Sequence, residues 1–471
     1  MKQSPDMRHH TRGRSFVGRA STGQFAWPVL GALRWPPCMI SILAIALGLR
    51  VLAACLVQWY VQRSGSPRVC LFPDAEYYWF LARTIRQGAP FDIIEWGNIH
   101  HFALRTPGYP LFLAACQAIL GEQPLAVRLV QAALGASVVW LVHQLTRRLV
   151  SPAELEPASG RHCWTVPLIT AALAAMNPYY IAMSELILSE AVFVPLMLLT
   201  LWGLAVLWRP ADGTGCAETH FVPSRVALTA IGTGATGGAA ILTRPSWGLF
   251  LPAVLLVWVV HGVRSRDVRL RRTAFQGAVL VVVGAVLTMS PWWARNARIF
   301  GRFVPTALWL GASLYDGLSP QATGASDMAF LADPALRPLD ELGQNAALTQ
   351  RALDFARSNP RRVLELAVIK LGRFWSPWPN ASEYRSAVLA VASTLLVVPL
   401  YLLLLVGAWI RRYDLRAWLL LVGPVLYFCA LHLVFVSSIR YRIPGEPAAL
   451  GLAVIGLRSI ADRMGSTSRR C

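Results

Sequence analysis

The sequence is short of charge. Asp, Glu, Lys and Arg make up only 14% of its 471 residues, against about 25% for an ordinary soluble domain. Lysine is nearly missing, found only at Lys2 and Lys370, so arginine supplies almost all of the positive charge. No CxxC pair occurs. Cys38, Cys55, Cys70, Cys116, Cys163, Cys216, Cys429 and Cys471 are scattered, most of them in or beside apolar runs, which excludes a disulfide framework and a cysteine zinc site. There is no Gly-x-Ser-x-Gly and no nucleophile triad. The glycine run Gly232–Gly238 lacks the Lys-Ser/Thr of a phosphate loop and lies inside an apolar run, where small residues allow helices to pack closely. Internal repeats, low-complexity segments and a separable soluble domain are also missing.

What is present is apolar: 55% of residues are hydrophobic and the mean hydropathy is +0.48. One water-soluble core cannot hide that much apolar surface, so the composition argues for many membrane spans. Apolar runs occur at about 36–61, 107–121, 125–149, 164–183, 185–208, 225–243, 246–263, 273–293, 386–410, 416–437 and 443–460, and a full crossing needs about 20 residues. The expected class is an all-α polytopic bundle of about 11 spans. The 107–121 run is short and carries Pro107, Gly108 and Pro110.

The net charge of +20 fits membrane orientation better than nucleic-acid binding, because the arginines sit in the gaps between apolar runs and form no basic stripe interleaved with aromatics. Arg209 and Arg225 bracket one short loop. Arg264, Arg266, Arg269, Arg271 and Arg272 crowd another; Arg411, Arg412 and Arg416 fill a third, and Arg458, Arg463, Arg469 and Arg470 end the chain. The expectation is a cytoplasmic tail over 1–35, a transmembrane module over 36–293 with an outward loop at 62–104, a long outward loop at 294–385, further spans over 386–460 and a tail at 461–471. One conflict follows. The basic tail puts 62–104 outside, while counting back from the other end puts Arg147 and Arg148 inside. Both hold only if 107–121 does not cross, or if another pair of runs is one broken span. Within 294–385, residues 345–375 read as an amphipathic helix, with Leu348, Ala352, Phe355 and Ala356 on one side and Arg351 and Arg357 on another.

Charges at the outer ends of spans are the candidate functional groups. Arg105, Arg244, Arg295, Arg440 and Arg442 each adjoin a proline-containing break: Arg105-Thr106-Pro107, Thr243-Arg244-Pro245, Pro291-Trp292-Trp293-Ala294-Arg295 and Arg440-Tyr441-Arg442-Ile443-Pro444. Guanidinium groups suit phosphate through fork-shaped, charge-assisted hydrogen bonds; the plainer alternative for each is an interfacial anchor. The outward acids are Asp74, Glu76, Glu185 and Glu190. A carboxylate facing a phosphate-binding arginine set can draw the proton from an acceptor hydroxyl. Asp74 also stands where a helix N-cap would, which is a purely structural role. Glu185 and Glu190, five apart, would not share one face of a continuous helix. His100-His101 has no third ligand at diagnostic spacing and reads as surface histidine rather than a metal site.

The order of these motifs resembles the GT-C superfamily of integral-membrane glycosyltransferases. A first span is followed by Pro73-Asp74-Ala75-Glu76-Tyr77-Tyr78, then by Arg105-Thr106-Pro107-Gly108-Tyr109-Pro110-Leu111, Asn177-Pro178, Ser189-Glu190, Leu242-Thr243-Arg244-Pro245, Pro291-Trp292-Trp293-Ala294-Arg295-Asn296 and Arg440-Tyr441-Arg442-Ile443-Pro444. It is most similar to the bacterial glycosyltransferase family 39 relatives of protein O-mannosyltransferases and of aminoarabinose lipid A transferase, over residues 36–460. The resemblance implies a helical bundle that moves a sugar, with inversion, from a polyprenyl-phosphate donor to an envelope lipid, glycan or protein at the periplasmic face of the inner membrane. It implies Asp74 as the key acid, with Glu76 and Glu190 as further acidic positions. Ala75 separates Asp74 from Glu76, where the family often has an adjacent pair. It implies Arg244 facing the lipid phosphate, Arg105 beside another such position, and the 294–385 loop as a cover; Arg295, Arg440 and Arg442 are candidate phosphate-binding groups from their place at span ends. Some relatives bind a divalent metal and others do not, so metal use stays open, and no other cofactor is implied. A transporter or flippase for an anionic lipid-linked substrate, or a scaffold that keeps the fold, are the other readings; the long outer loops and the lack of two halves argue against alternating access.

Overall fold

The computed structural model describes residues 37–64, 69–94, 99–156, 164–208, 224–380 and 386–468. The tail expected over 1–35, the end of the 461–471 tail, Arg209, Cys163 and Cys216 lie outside the described residues. Cys38–Cys471 is one compact unit. Its helices are α1 (Pro37–Arg63), α2 (Pro73–Arg86), α3 (Gly108–Leu120), α4 (Pro124–Leu149), α5 (Val166–Met176), α6 (Pro178–Glu185), α7 (Glu190–Leu207), α8 (Ser224–Thr243), α9 (Phe250–Arg264), α10 (Val268–Phe300), α11 (Leu310–Gly317), α12 (Glu341–Ser358), α13 (Pro360–Phe374), α14 (Ala387–Ile410), α15 (Gly423–Val434) and α16 (Glu446–Ser468). Among the described residues the only strand-like pairing is one bridge between Ile93 and His101.

Among the described residues, eight helices are long and apolar enough to cross a membrane, or nine if a bent pair counts as one span. The chain is thus a multi-pass membrane protein. The bent pair is α5 with α6, angled by 56°. Its cause is local: Pro178 has no N–H to donate, and the Asn177 side chain instead accepts from the backbone N–H of Tyr179 at 3.0 Å. Helix α3 has 13 residues, which at about 1.5 Å per residue reach roughly 20 Å, short of the ~30 Å hydrocarbon core. It starts against Thr243, and the following α4 carries Arg128, which donates to the Glu185 carbonyl at 3.2 Å and to Gln58 of α1. Helix α3 therefore returns to the end it left, and the orientation conflict disappears.

The arginine-rich loops gather at the opposite end. Arg416 donates to the carbonyls of Arg148 (2.7 Å) and Ala205 (3.2 Å), Arg411 pairs with Glu154, and Arg458 donates to the Glu156 carbonyl at 2.8 Å. Helix α7 links the two ends, with Glu190 at one and Ala205 near the other.

The small residues of α8 act as expected. A Cβ on Gly234 would sit 1.9 Å from the Val281 carbonyl oxygen of α10, and one on Gly284 would sit 2.0 Å from that of Ile231. Only glycine permits this approach, which is the closest kind of helix packing available in lipid. Glycines at 407 and 456 do the same between α14 and α16.

Among the described residues, both long connections carry helices. The first holds α2, whose buried Trp79, Ala75 and Ala82 pack with Tyr109 and Leu113 of α3. The second has its own small core of Ala312, Leu331, Leu336 and Leu348. The single helix expected over 345–375 is two, α12 and α13, broken at Asn359-Pro360. Proline cannot continue the hydrogen-bond ladder and disfavours helical backbone in the residue before it.

Candidate functional site

Five chain segments meet at the end of the bundle away from the basic loops. Helix α2 begins at Pro73 with Phe72 as its N-cap, so Asp74 is not the cap and makes no capping hydrogen bond. Its carboxylate faces two guanidinium groups instead: Arg440 at 3.3 Å and Arg105 at 3.7 Å. Arg105 comes from the extended stretch before α3. That stretch is pressed against the end of α8, because Gly108 leaves no room for a side chain: a Cβ there would lie 2.5 Å from Thr243 Oγ1 and 2.8 Å from the Leu242 carbonyl oxygen.

Helix α8 ends at Thr243, since Arg244 precedes Pro245 and is held extended at φ −143°, ψ 100°. Arg244 thereby turns its guanidinium to Glu190 at 2.8 Å, over the rings of Phe193 (5.9 Å) and Tyr441 (5.8 Å). Arg440 sits on the helical turn Ile439–Arg442 and bridges both acids, with its Nε 3.0 Å from Glu190. The His432 ring stacks on Tyr441 at 4.1 Å, and the Ile439 N–H donates to Asn380 at 2.8 Å, so the turn is fixed from both sides.

The two acids differ. Glu190 is fully buried and holds two guanidinium groups closely; Asp74 is 44% exposed and its contacts are longer. Arg105, Arg244 and Arg440 against Asp74 and Glu190 leave one positive charge in excess. Burial alone would lower the Arg440 value, but Glu190 and then Asp74 hold it above the usual guanidinium range. Burial pushes the phenols of Tyr78 and Tyr441 up, so both stay protonated at neutral pH. Tyr78 carries Arg105 over its face at 5.2 Å.

Three of the expected residues stand apart from this cluster. Glu76 accepts the backbone N–H of Cys70 and closes the loop before α2. Arg295 donates to the carbonyls of Phe91 (2.8 Å) and Phe102 (2.9 Å) and stacks on Trp292, clamping the first long loop to α10. Arg442 is buried, pairs with Glu446 and donates to the carbonyls of Phe374 and Ser376. Glu185 lies inside the bundle, with Ser184 on its carboxylate and Arg50 and Arg128 beside it. Sequence reading missed Tyr78, which stands one helical turn after Asp74 and so shares its face, and Tyr441 beside Arg440.

The residues do not suit a metal. Both acids of the cluster are engaged by arginine, and among the described residues no group of three or more His, Cys, Asp or Glu could hold a metal ion. His100 pairs with Asp92 at 2.5 Å, while His101 is buried near Glu341 at 3.9 Å, which is not the surface pair expected.

No family model matches the chain. No curated protein shows significant sequence similarity to it. Solved structures do resemble it. The oligosaccharyltransferase of Archaeoglobus fulgidus in its apo form aligns with a TM-score of 0.55 at 14% identity, over 92% of this chain and 51% of that one. The same organism's oligosaccharyltransferase AglB, in complex with an inhibitory peptide and a dolichol-phosphate, aligns at 0.55 and 13% identity, over 89% of this chain and 50% of that one. The fold is GT-C. The chain spans about half the length of these archaeal structures. ArnT from Cupriavidus metallidurans bound to undecaprenyl phosphate aligns over 87% of this chain and 77% of its own at 17% identity, with a TM-score of 0.39 that carries no further weight.

Proposed function

We propose that the protein is a glycosyltransferase of the inner membrane that moves a sugar from a polyprenyl-phosphate donor to an envelope lipid, glycan or protein at the periplasmic face. The observation that carries this reading is Arg440 spanning Asp74 and Glu190, beside Arg105 and Arg244, with one positive charge in excess. A lipid-borne phosphate is tethered at the membrane surface, so its site belongs at a span end. A polyprenyl-phosphate sugar is a monoanion there and neutralises the excess. As the bond from the anomeric carbon to the phosphate oxygen breaks, that oxygen keeps the electron pair and the phosphate becomes a dianion. The guanidinium groups stabilise the growing charge.

The acceptor hydroxyl supplies the new bond to the anomeric carbon, and its proton passes to Asp74. Asp74 suits this role because it is half-exposed and loosely held, whereas Glu190 is buried and saturated by two arginines. With one accessible carboxylate, the displacement is single and inverts the anomeric centre. Glu190 is a positioning residue that fixes Arg244 and Arg440. No step is routed through a metal.

The test uses purified protein in nanodiscs with undecaprenyl phosphate. Wild type should bind it, and Arg440→Ala should weaken binding by about 1.5–3 kcal/mol, the range for a charged hydrogen bond. In cells, mass spectrometry of envelope lipids and glycans should show a sugar that vanishes without the protein. Equal binding by Arg440→Ala protein, or an unchanged envelope, would remove this reading.

A further inference from the structure

Helix α13 has two apolar faces, and its interior packing explains only one. Leu366, Lys370 and Phe374 are buried against the protein. Leu364, Val368 and Leu371, spaced by four and three residues, form a separate stripe that is 69%, 70% and 41% exposed. Between the stripe and water lies a polar flank, with Arg361 95% exposed and Glu365 half-exposed. A helix exposed to water on all its free sides would not carry such a stripe.

The depth of α13 is fixed by its contacts. Lys370 Nζ donates to the carbonyl of Val434, the last residue of α15, at 2.6 Å, and to that of Gly317 at 2.8 Å. Val434 ends the candidate span Leu415–Val434, so α13 lies at the level where a crossing helix leaves the bilayer. Downstream, Trp378 is 48% exposed, and α14 then enters the membrane with Val388 78% exposed. Helix α13 is also tied to the turn carrying Arg440: Arg373 Nε donates to the Ser437 carbonyl at 3.0 Å, and the Ser437 hydroxyl donates to the Lys370 carbonyl at 2.8 Å.

We propose that α13 is an interfacial helix, laying the Leu364–Val368–Leu371 stripe into the lipid on the site's face of the membrane and thereby setting the depth of the Arg440 turn. Apolar side chains sink to the headgroup–acyl boundary, and the arginines at 361, 362 and 373 favour lipid phosphate. This placement stands whether or not the protein transfers a sugar.

The full chain in nanodiscs of phosphatidylethanolamine and phosphatidylglycerol tests it. Single spin labels are attached to Leu364→Cys, Val368→Cys, Leu371→Cys, Arg361→Cys and Glu365→Cys, each with the other cysteines replaced. The stripe labels should relax with oxygen more than with a water-soluble nickel complex, and the flank labels should show the reverse. Preference for nickel at all five positions would put α13 in water; shielding of the stripe from both reagents would mean that protein covers it. Either result overturns the proposal. Unmutated protein gives an independent check, since lipids with a photoreactive group near the headgroup should label peptides within 360–374, and absence of label there would also overturn it. Leu364→Asp with Val368→Asp should raise amide exchange over Ser437–Arg442; unchanged exchange would sever the link to Arg440.

Discussion

Asp74 and Glu190 illustrate how environment divides two carboxylates. Glu190 sits in a closed cage of guanidinium groups, and Asp74 stands at its open edge. Asp74→Asn keeps size and removes charge and basicity. The folded variant should bind undecaprenyl phosphate and lose about 10²–10⁴-fold in turnover, the usual contribution of general-base catalysis. Near-normal transfer by folded Asp74→Asn protein, measured with its true donor and acceptor, would exclude Asp74 as the base. The residue scale is also where sequence reading was least selective. Asp74 and Glu76 are two apart on one helix, and so are Arg440 and Arg442 on one turn. Such pairs do not face each other's side of a helix, so only one of each could reach the site. Helical periodicity held that information, but it could not say which. The choice for Asp74 rests on Arg440, 366 residues away in sequence, and no local pattern encodes a partner at that distance.

At the scale of elements, sequence was a better guide wherever proline or glycine punctuates the chain. Thr243-Arg244-Pro245 marks the end of α8, and Asn177-Pro178 marks the break between α5 and α6. Gly108 is the sharpest case, because its missing side chain lets the Arg105 segment touch Thr243. Gly108→Ala should push α3 from α8 and carry Arg105 away from Asp74. The expected result is a folded protein with weakened undecaprenyl phosphate binding; wild-type affinity would show that the contact does not set the site. Glu341, buried and accepting the N–H groups of Phe102 (2.7 Å) and Ala103 (3.0 Å), joins α12 to the Arg105 segment. Burial pushes its carboxyl up to about 7, outweighing those donors and Arg295. A carboxyl raised on folding contributes stability that is complete below its ordinary value of 4.5 and is lost as pH rises through about 7. Protection of the Phe102 and Ala103 amides, corrected for intrinsic exchange, should therefore fall between pH 5 and pH 8 (roughly the window between the two values). Glu341→Gln, neutral throughout, should flatten that dependence, and an equal fall in the variant would assign it elsewhere.

For the whole molecule, orientation follows from charge segregation. The bundle gathers the basic loops around Arg416, Arg411 and Arg458 at one end, and the Asp74–Arg440–Glu190 cluster at the other. Arginine in short loops stays on the cytoplasmic side of a membrane, so the cluster should face outward. The sequence held the charge pattern, but apolar content alone left open whether the 13-residue α3 spans or turns back. Two exposed positions decide the matter. Gln321 lies near Gly324, whose carbonyl accepts the Ser437 N–H at 2.9 Å close to the cluster, and Arg269 lies in the first turn of α10, within the basic stretch 264–272. In intact cells a membrane-impermeant thiol reagent should label Gln321→Cys. Arg269→Cys should react only after permeabilisation, with native cysteines replaced in both. Labelling of Arg269→Cys from outside, with Gln321→Cys silent, would turn the cluster toward the cytoplasm and with it the source of the donor, since a carrier presented there has not been flipped.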